Sequence, residues 1–224
     1  MIFPVIERKH GFSEAKPASA DAVLHLRRRR KPLIILRCML ELRLHGRGGQ
    51  GAVTSAEMLA LAAISEGKYA LAFPSFGPER RGAPVQAFVR IDDKPIRIRA
   101  EITEPDVVVV LDAGLLSIVD VTSGLKKNGI VVVNTKSTPR EMEPLLGDKW
   151  PVATVDANAT ALETIGVPIV NTTMLGAILK VTDMIKIDSL EEPLKHRFGA
   201  RAGQNLEACK KAYDRTVVSR RKHT

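Results

Sequence analysis

The residues best suited to chemistry fall in one short stretch, His45-Gly46-Arg47-Gly48-Gly49-Gln50-Gly51. It carries the pattern G-x-G-x-x-G at Gly46, Gly48 and Gly51. Glycines let a chain turn with φ > 0 and allow a phosphate close to the main chain. A helix that opens on such a turn offers unpaired N–H groups and the positive end of its dipole, and both favour an anion. Arg47 could add a charge-assisted bond to the same phosphate. Gly49 and Gln50 complete the turn. The pattern has a plainer use as a tight strand-to-helix turn without a ligand, and the sequence leaves both open.

A second stretch complements the first. Ser75-Phe76-Gly77-Pro78-Glu79-Arg80-Arg81-Gly82-Ala83-Pro84 reads as a loop from its glycines and prolines. Arg80 and Arg81 place two guanidinium forks on it, and such forks fit phosphates and carboxylates. Their alternative use is a subunit interface or an internal pair with Glu79. Together Gly46, Arg47, Gly48, Gly49, Gln50, Gly51, Ser75, Gly77, Arg80 and Arg81 form the candidate cofactor-binding set. A nicotinamide dinucleotide site also needs an acid at the end of the second strand to grip the ribose diol. The second strand ends in Phe73-Pro74-Ser75, with no acid, which argues sharply against NAD and leaves open a ligand whose ribose is phosphorylated, such as NADP or coenzyme A.

Other reactive residues are ambiguous or absent. His45 precedes the turn, either as a general base or as a strand-end histidine satisfied by backbone. Asp112 follows a valine-rich strand, where it could face a ligand or cap the next helix. No G-x-x-x-x-G-K-[ST] or C-x-x-C motif occurs, and the five histidines, at 10, 25, 45, 196 and 223, are scattered. The two cysteines, Cys38 and Cys209, supply neither a disulfide framework nor, alone, the ligands of a zinc or iron–sulfur site. No metal site is expected, and Cys209 is expected to be a buried core thiol.

The elements that must hold these residues alternate. Leu40-Glu41-Leu42-Arg43-Leu44-His45 has strand periodicity. After the glycine turn a helix runs to about Glu66, with Ala52, Ala56, Leu59, Ala60 and Ala63 on one small-residue face. Tyr69–Phe73 reads as a second strand, and Val85–Ile91 with Pro95–Ile98 as a hairpin around Asp92-Asp93. Pro105-Asp106-Val107-Val108-Val109-Val110-Leu111 has the unbroken β-branched run of a strand covered on both faces. Ile130–Val133 and Pro151–Val155 repeat it more weakly. Helices are expected from about Thr172 to Ile185 and from about Ala202 to Val218, the latter with Leu206, Cys209, Tyr213 and Val217 inward. This order predicts an α/β fold, three-layer, with a mostly parallel sheet and a Rossmann-like first turn.

The chain has 224 residues and a formal net charge of +9, a size that suits one domain. The charge is confined to the ends. Residues 1–38 hold nine Lys/Arg against three Asp/Glu, and Arg220–Lys222 add three more positive charges, while the remaining span is balanced. A nucleic-acid-binding fold should carry its basic face on the body, and no aromatic residue interleaves Arg27-Arg28-Arg29-Arg30-Lys31 to stack on bases. No specific nucleic acid is therefore expected. No stretch reaches the ~20 apolar residues of a membrane-spanning helix, and no membrane partner is expected. Residues 1–38, with Pro4, Pro17 and Pro32, read as a disordered basic extension. Met39 stands directly before the first strand, so it is also a candidate initiator. Residues 39–224 then form the single domain with a short basic tail.

The motifs HGRGGQGAVTSAEMLALAA and FPSFGPERRGAPVQAFVRID, followed by PDVVVVLD and NLEACKKAYD, resemble the gamma subunit of 2-oxoacid:ferredoxin oxidoreductases, most closely the pyruvate synthase branch. The resemblance covers about Met39 to Val218, and the family's subunit typically begins just before this first strand. It implies a cytoplasmic, multi-subunit enzyme that oxidatively decarboxylates pyruvate with coenzyme A to acetyl-CoA, CO2 and reduced ferredoxin. It implies alpha, beta and delta partners, with thiamine diphosphate, Mg and iron–sulfur clusters held outside this chain. No catalytic residue is then expected here. The glycine turn, with Arg80 and Arg81, is expected to hold or guide the phosphate-bearing half of coenzyme A. The alternatives are a subunit acting on branched-chain 2-oxoacids and a free-standing NADP-linked reductase.

Overall fold

A computed structural model describes residues 39–75 and 82–219. The expectations for residues 1–38, for Gly77, Arg80 and Arg81, and for the basic tail lie outside the described residues.

Seven strands form one sheet: β1 (Leu40–Arg47), β2 (Tyr69–Pro74), β3 (Pro84–Asp92), β4 (Val107–Val110), β5 (Ile130–Asn134), β6 (Val152–Val155) and β7 (Val217–Val218). Their spatial order is β2-β3-β1-β4-β5-β6-β7. β1, β4, β5 and β6 are parallel neighbours, and β3 and β7 pair antiparallel with theirs. The expected mostly parallel α/β sheet is present. β4 and β5 are buried along their whole length, as their unbroken β-branched runs require of strands covered on both faces.

Helices α1 (Ala52–Ser65), α2 (Pro139–Met142), α3 (Ala157–Ile165), α4 (Val170–Thr182), α5 (Glu191–Phe198) and α6 (Ala202–Arg215) complete the chain. One face of the sheet presents Leu42, Leu44, Val89, Val107, Val109, Ile130 and Val132 to the main core, with α1, α4 and α6 against it. Ala52, Ala56, Leu59, Ala60 and Ala63 of α1 are all buried there, on the small-residue face the periodicity foretells. The other face packs Val108, Val110, Val131 and Val133 under turn residues Leu115, Val121 and Leu125 and under Met142 of α2.

Four details differ from expectation. Val85–Ile91 lie in β3, which pairs with β2 and β1 rather than with Pro95–Ile98. Pro95 has no N–H for a ladder, and the Arg90 guanidinium takes the Ile98 and Ala100 carbonyls (3.2 and 2.6 Å). The long helix is Val170–Thr182, ended by Asp183 in the left-handed region at φ 49°. The last helix stops at Arg215, because the β-branched run Thr216-Val217-Val218 extends and adds β7 to β6. Val217 is consequently 57% exposed, while Cys209 is fully buried as expected.

The fourth difference bears on the site. β2 runs parallel to β1, but β3 is wedged between them. The parallel neighbour of β1 is β4, and the residues after it are Leu111 and Asp112. An acid therefore does follow the strand adjacent to the glycine turn. The sequence places it out of reach of the usual spacing because a hairpin intervenes.

Candidate ligand-binding site at the glycine turn

The chain leaves β1 toward β2 on one side and returns to β4 on the other. That reversal opens a crevice at the carboxyl ends of the strands, the usual ligand position in open α/β sheets. The glycine turn stands in it, with a cleft on each side. The smaller, about 510 Å3, is lined by Gly49, Gln50, Asp112, Asn134 and Asn158 among others. The larger, about 760 Å3, is lined by His45, Arg47, Gly48, the first residues of α1, Ser75, Gln86 and Arg197 among others.

The turn is braced from inside. Gly49 and Gly51 have φ of 93° and 79°, where glycine is strongly favoured. Gly48 N–H donates to Ala83 O at 2.9 Å, and Gly82 N–H donates back to Gly48 O at 3.1 Å. Arg47 N–H donates to Gln50 Oε1 at 2.7 Å, and Gln50 N–H to Arg47 O at 2.9 Å. Three N–H groups of the turn are thus consumed by protein. The N–H groups without an intrahelical partner lie one step on, at the start of α1. Gly51 caps that helix without a side-chain bond, no acid lies in its first turn, and the first intrahelical bond is made by Ser55 N–H to Gly51 O. Ala52, Val53 and Thr54 precede that bond, and all three line the larger cleft.

Arg47 is tied down rather than free. Its Nε donates to Asp112 Oδ2 at 2.8 Å, and its Nη1 to Gly82 O at 3.3 Å. Asp112 also accepts from Gln50 Nε2 on Oδ2 and from Gly114 N–H on Oδ1. Burial raises this carboxyl, but the bonds from Arg47, Gly114 and Gln50 outweigh it and hold Asp112 below the usual carboxylate range. Of the two uses foreseen for Asp112 the cap is realised, at Ala113–Ser117, and the residue also lines the smaller cleft.

His45 is neither exposed nor satisfied by backbone at its ring. It is 2% exposed, and its Nε2 accepts from Arg43 Nε at 3.1 Å. Burial and the adjacent Arg43 push the imidazole down to about 3, against a smaller opposing pull from Asp120. Ser75 joins the larger cleft, its Oγ donating to Glu101 Oε1 at 2.8 Å.

Sequence reasoning missed Gln86, Val119, Arg197 and Asn171. Gln86, Val119 and Arg197 reach the larger cleft from distant elements, and nothing local signals it. Asn171, in the first turn of α4, is buried against Gly51, and its Oδ1 is the one buried side-chain atom without a partner among the described residues. No group of three or more His, Cys, Asp or Glu among these residues is placed to hold a metal ion. No helix among them is long and apolar enough to cross a membrane.

Fold and site together define an α/β domain with a braced glycine turn at a switch point of its sheet, beside the uncapped start of α1. Residues 41–215 match the pyruvate ferredoxin/flavodoxin oxidoreductase family, and the chain belongs to it. It is 57% identical over 182 residues to the pyruvate/ketoisovalerate oxidoreductases common subunit gamma of Thermococcus litoralis, covering 80% of this chain and 98% of that one. It is 54% identical over 177 residues to the pyruvate synthase subunit PorC of Methanothermobacter thermautotrophicus, covering 79% and 95%. The crystal structure of the pyruvate oxidoreductase subunit PORC of Thermotoga maritima superposes with a TM-score of 0.74 at 37% identity, over 82% of this chain and all of that one.

Proposed function

We propose that this chain is the gamma subunit of a pyruvate:ferredoxin oxidoreductase and that it holds the phosphate-bearing half of coenzyme A. The observation that carries this reading is the uncapped start of α1, opening onto a cleft of about 760 Å3 that Arg47 and Arg197 also line. Helix-start N–H groups and guanidinium forks suit phosphate oxygens. The family of the chain and the names of its relatives support the oxidoreductase role. In this reading alpha, beta and delta subunits accompany the chain in the cytoplasm, and ferredoxin accepts the electrons. Thiamine diphosphate and Mg supply the carbon chemistry and iron–sulfur clusters carry the electrons. The described residues of this chain form no cluster suited to the metal groups, so no step through them is assigned to it. Its own contribution is to orient: anchoring the remote end of coenzyme A confines the thiol near its target and removes entropy from the barrier.

The test is kinetic. Replacing Arg80 and Arg81 by Ala in the assembled complex should raise KM for coenzyme A about tenfold or more, one charge-assisted bond being worth ~1.5–3 kcal/mol, and leave KM for pyruvate unchanged. If subunit assembly is lost instead, the two arginines are interface groups. A second reading has its own support: the Thermococcus relative is named as common to pyruvate and ketoisovalerate oxidoreductases. The chain then serves a branched-chain 2-oxoacid complex as well, and co-purification with two distinct sets of partner subunits would establish it.

A further inference from the structure

His45 is not used by a phosphate site, yet it is built with care. It lies on the same face of β1 as Arg43 and lines the larger cleft. Arg43 cannot turn away, because its Nη2 donates to Val121 O at 3.0 Å and to Ser123 O at 2.5 Å. A guanidinium is only a donor, so His45 Nε2 must carry a lone pair. The imidazole is therefore neutral, with its proton on Nδ1. That Nδ1–H has no protein partner among the described residues, and it is not among their sealed, unpartnered atoms. It therefore opens to the cleft that His45 lines. The charged groups around the ring are Arg43 and Asp120, with Arg47, Glu57 and Arg197 on the walls of the same cleft. The remaining walls combine the apolar Ala52, Val53, Pro84, Val85 and Val119 with the uncharged polar Thr54, Ser75 and Gln86.

An imidazolium would suit a phosphate. A neutral N–H beside uncharged apolar and amide or hydroxyl side chains suits an uncharged acceptor on a chain that alternates aliphatic and amide segments. We infer that the part of the larger cleft next to His45 is the subsite for the amide-bearing, uncharged arm of coenzyme A, with His45 Nδ1–H donating to an amide carbonyl of that arm. The inference rests on the coenzyme A reading above and divides the ligand: phosphates at the start of α1, the amide arm along Val53, Val85 and Val119. His45 is in this account a positioning residue and moves no proton.

Two experiments on the assembled complex test it. His45→Leu should raise KM for coenzyme A about tenfold, the worth of one hydrogen bond. The inhibition constant of adenosine 3′,5′-bisphosphate and KM for pyruvate should stay unchanged. His45→Gln keeps a donor and should restore most of the loss. Equal weakening of coenzyme A and the bisphosphate, or no weakening of either, overturns the inference. Hydrogen–deuterium exchange on the unmutated complex covers the case of a variant that fails to assemble. Pantetheine should protect the segments around His45 and Val85, and the bisphosphate should protect Ala52–Thr54. Protection by the bisphosphate alone removes the amide subsite and leaves the phosphate reading standing. Protection by neither removes both.

Discussion

Gly51 is where the fold and the site can be separated by measurement. Its φ of 79° costs an alanine ~1–2 kcal/mol relative to glycine. A Cβ there would also stand 2.5 Å from Asn171 Nδ2 and 3.0 Å from Asn171 Cγ. Asn171 is 7% exposed, and Ser55 Oγ holds its backbone carbonyl at 2.9 Å, so the side chain has little room to yield. Overpacking of this kind costs ~1–3 kcal/mol. Gly51→Ala should therefore destabilise the chain by about 2–5 kcal/mol. Gly49 makes the control: its φ is 93°, but nothing lies within 4 Å of its Cβ direction, so Gly49→Ala should cost only ~1–2 kcal/mol. Asn171→Ala removes the two nearest atoms of the obstacle, leaving only its Cβ at 3.1 Å, and removes an unpartnered acceptor. The double variant Gly51→Ala/Asn171→Ala should recover the overpacking part, a coupling of about 1–3 kcal/mol. Urea unfolding of the purified chain reads these differences in the midpoint, with the slope unchanged. Equal losses at Gly49 and Gly51, or no recovery in the double variant, would refute the claim that Asn171 shapes the turn.

Two other outcomes follow from the same structure. Asp112→Asn should cost ~1–2 kcal/mol near neutral pH, since it weakens the bonds from Arg47 and Gln50. The folded carboxyl lies below its ordinary value of 3.8, so this contribution is complete above that pH and fades as pH falls through the folded value. Stability curves of the two proteins should converge on acidification, and a gap that persisted at low pH would contradict the ion pair. Gly176→Ala should also destabilise despite the ~1 kcal/mol helix preference for alanine. The added Cβ would press into the backbone of α6 at Cys209 and Tyr213, which has no rotamer to give, so a fall in melting temperature of several degrees is expected. A rise would mean that α4 and α6 are not in close contact.

The sequence displays the parts whose causes are local. Val107–Val110 reads as a doubly covered strand because nothing polar interrupts it, and α1 reads from its alanine stripe. The glycine turn is legible because φ > 0 is demanded at Gly49 and Gly51. What stays hidden depends on distant chain. Alternation in Leu40–His45 puts Glu41, Arg43 and His45 on the polar face of β1, which ordinarily faces water. That face is instead roofed by residues about Val121–Lys126, whose carbonyls and ammonium take the charges. The wedge of β3 between β1 and β2 is equally invisible, because antiparallel pairing across the connection is set by register and not by local propensity. The same wedge concealed the relation of Asp112 to the turn.

β1 has unlike surroundings at its two ends, and on the coenzyme A reading it carries two unlike jobs. Near its start, Glu41 accepts from Arg90 at 3.0 Å and from Lys126 at 3.2 Å, and Lys126 also reaches Asp106 at 3.0 Å. Near its finish stand His45 and the turn. A random-mutagenesis screen scored separately for soluble yield and for thiol-ester output should therefore split along eight consecutive residues. Lesions at the ionic knot would cut the amount of protein and spare the specific rate of what remains, whereas lesions at the far end would do the reverse. One strand would thus map as two genetic loci, with Arg43 at the border between them.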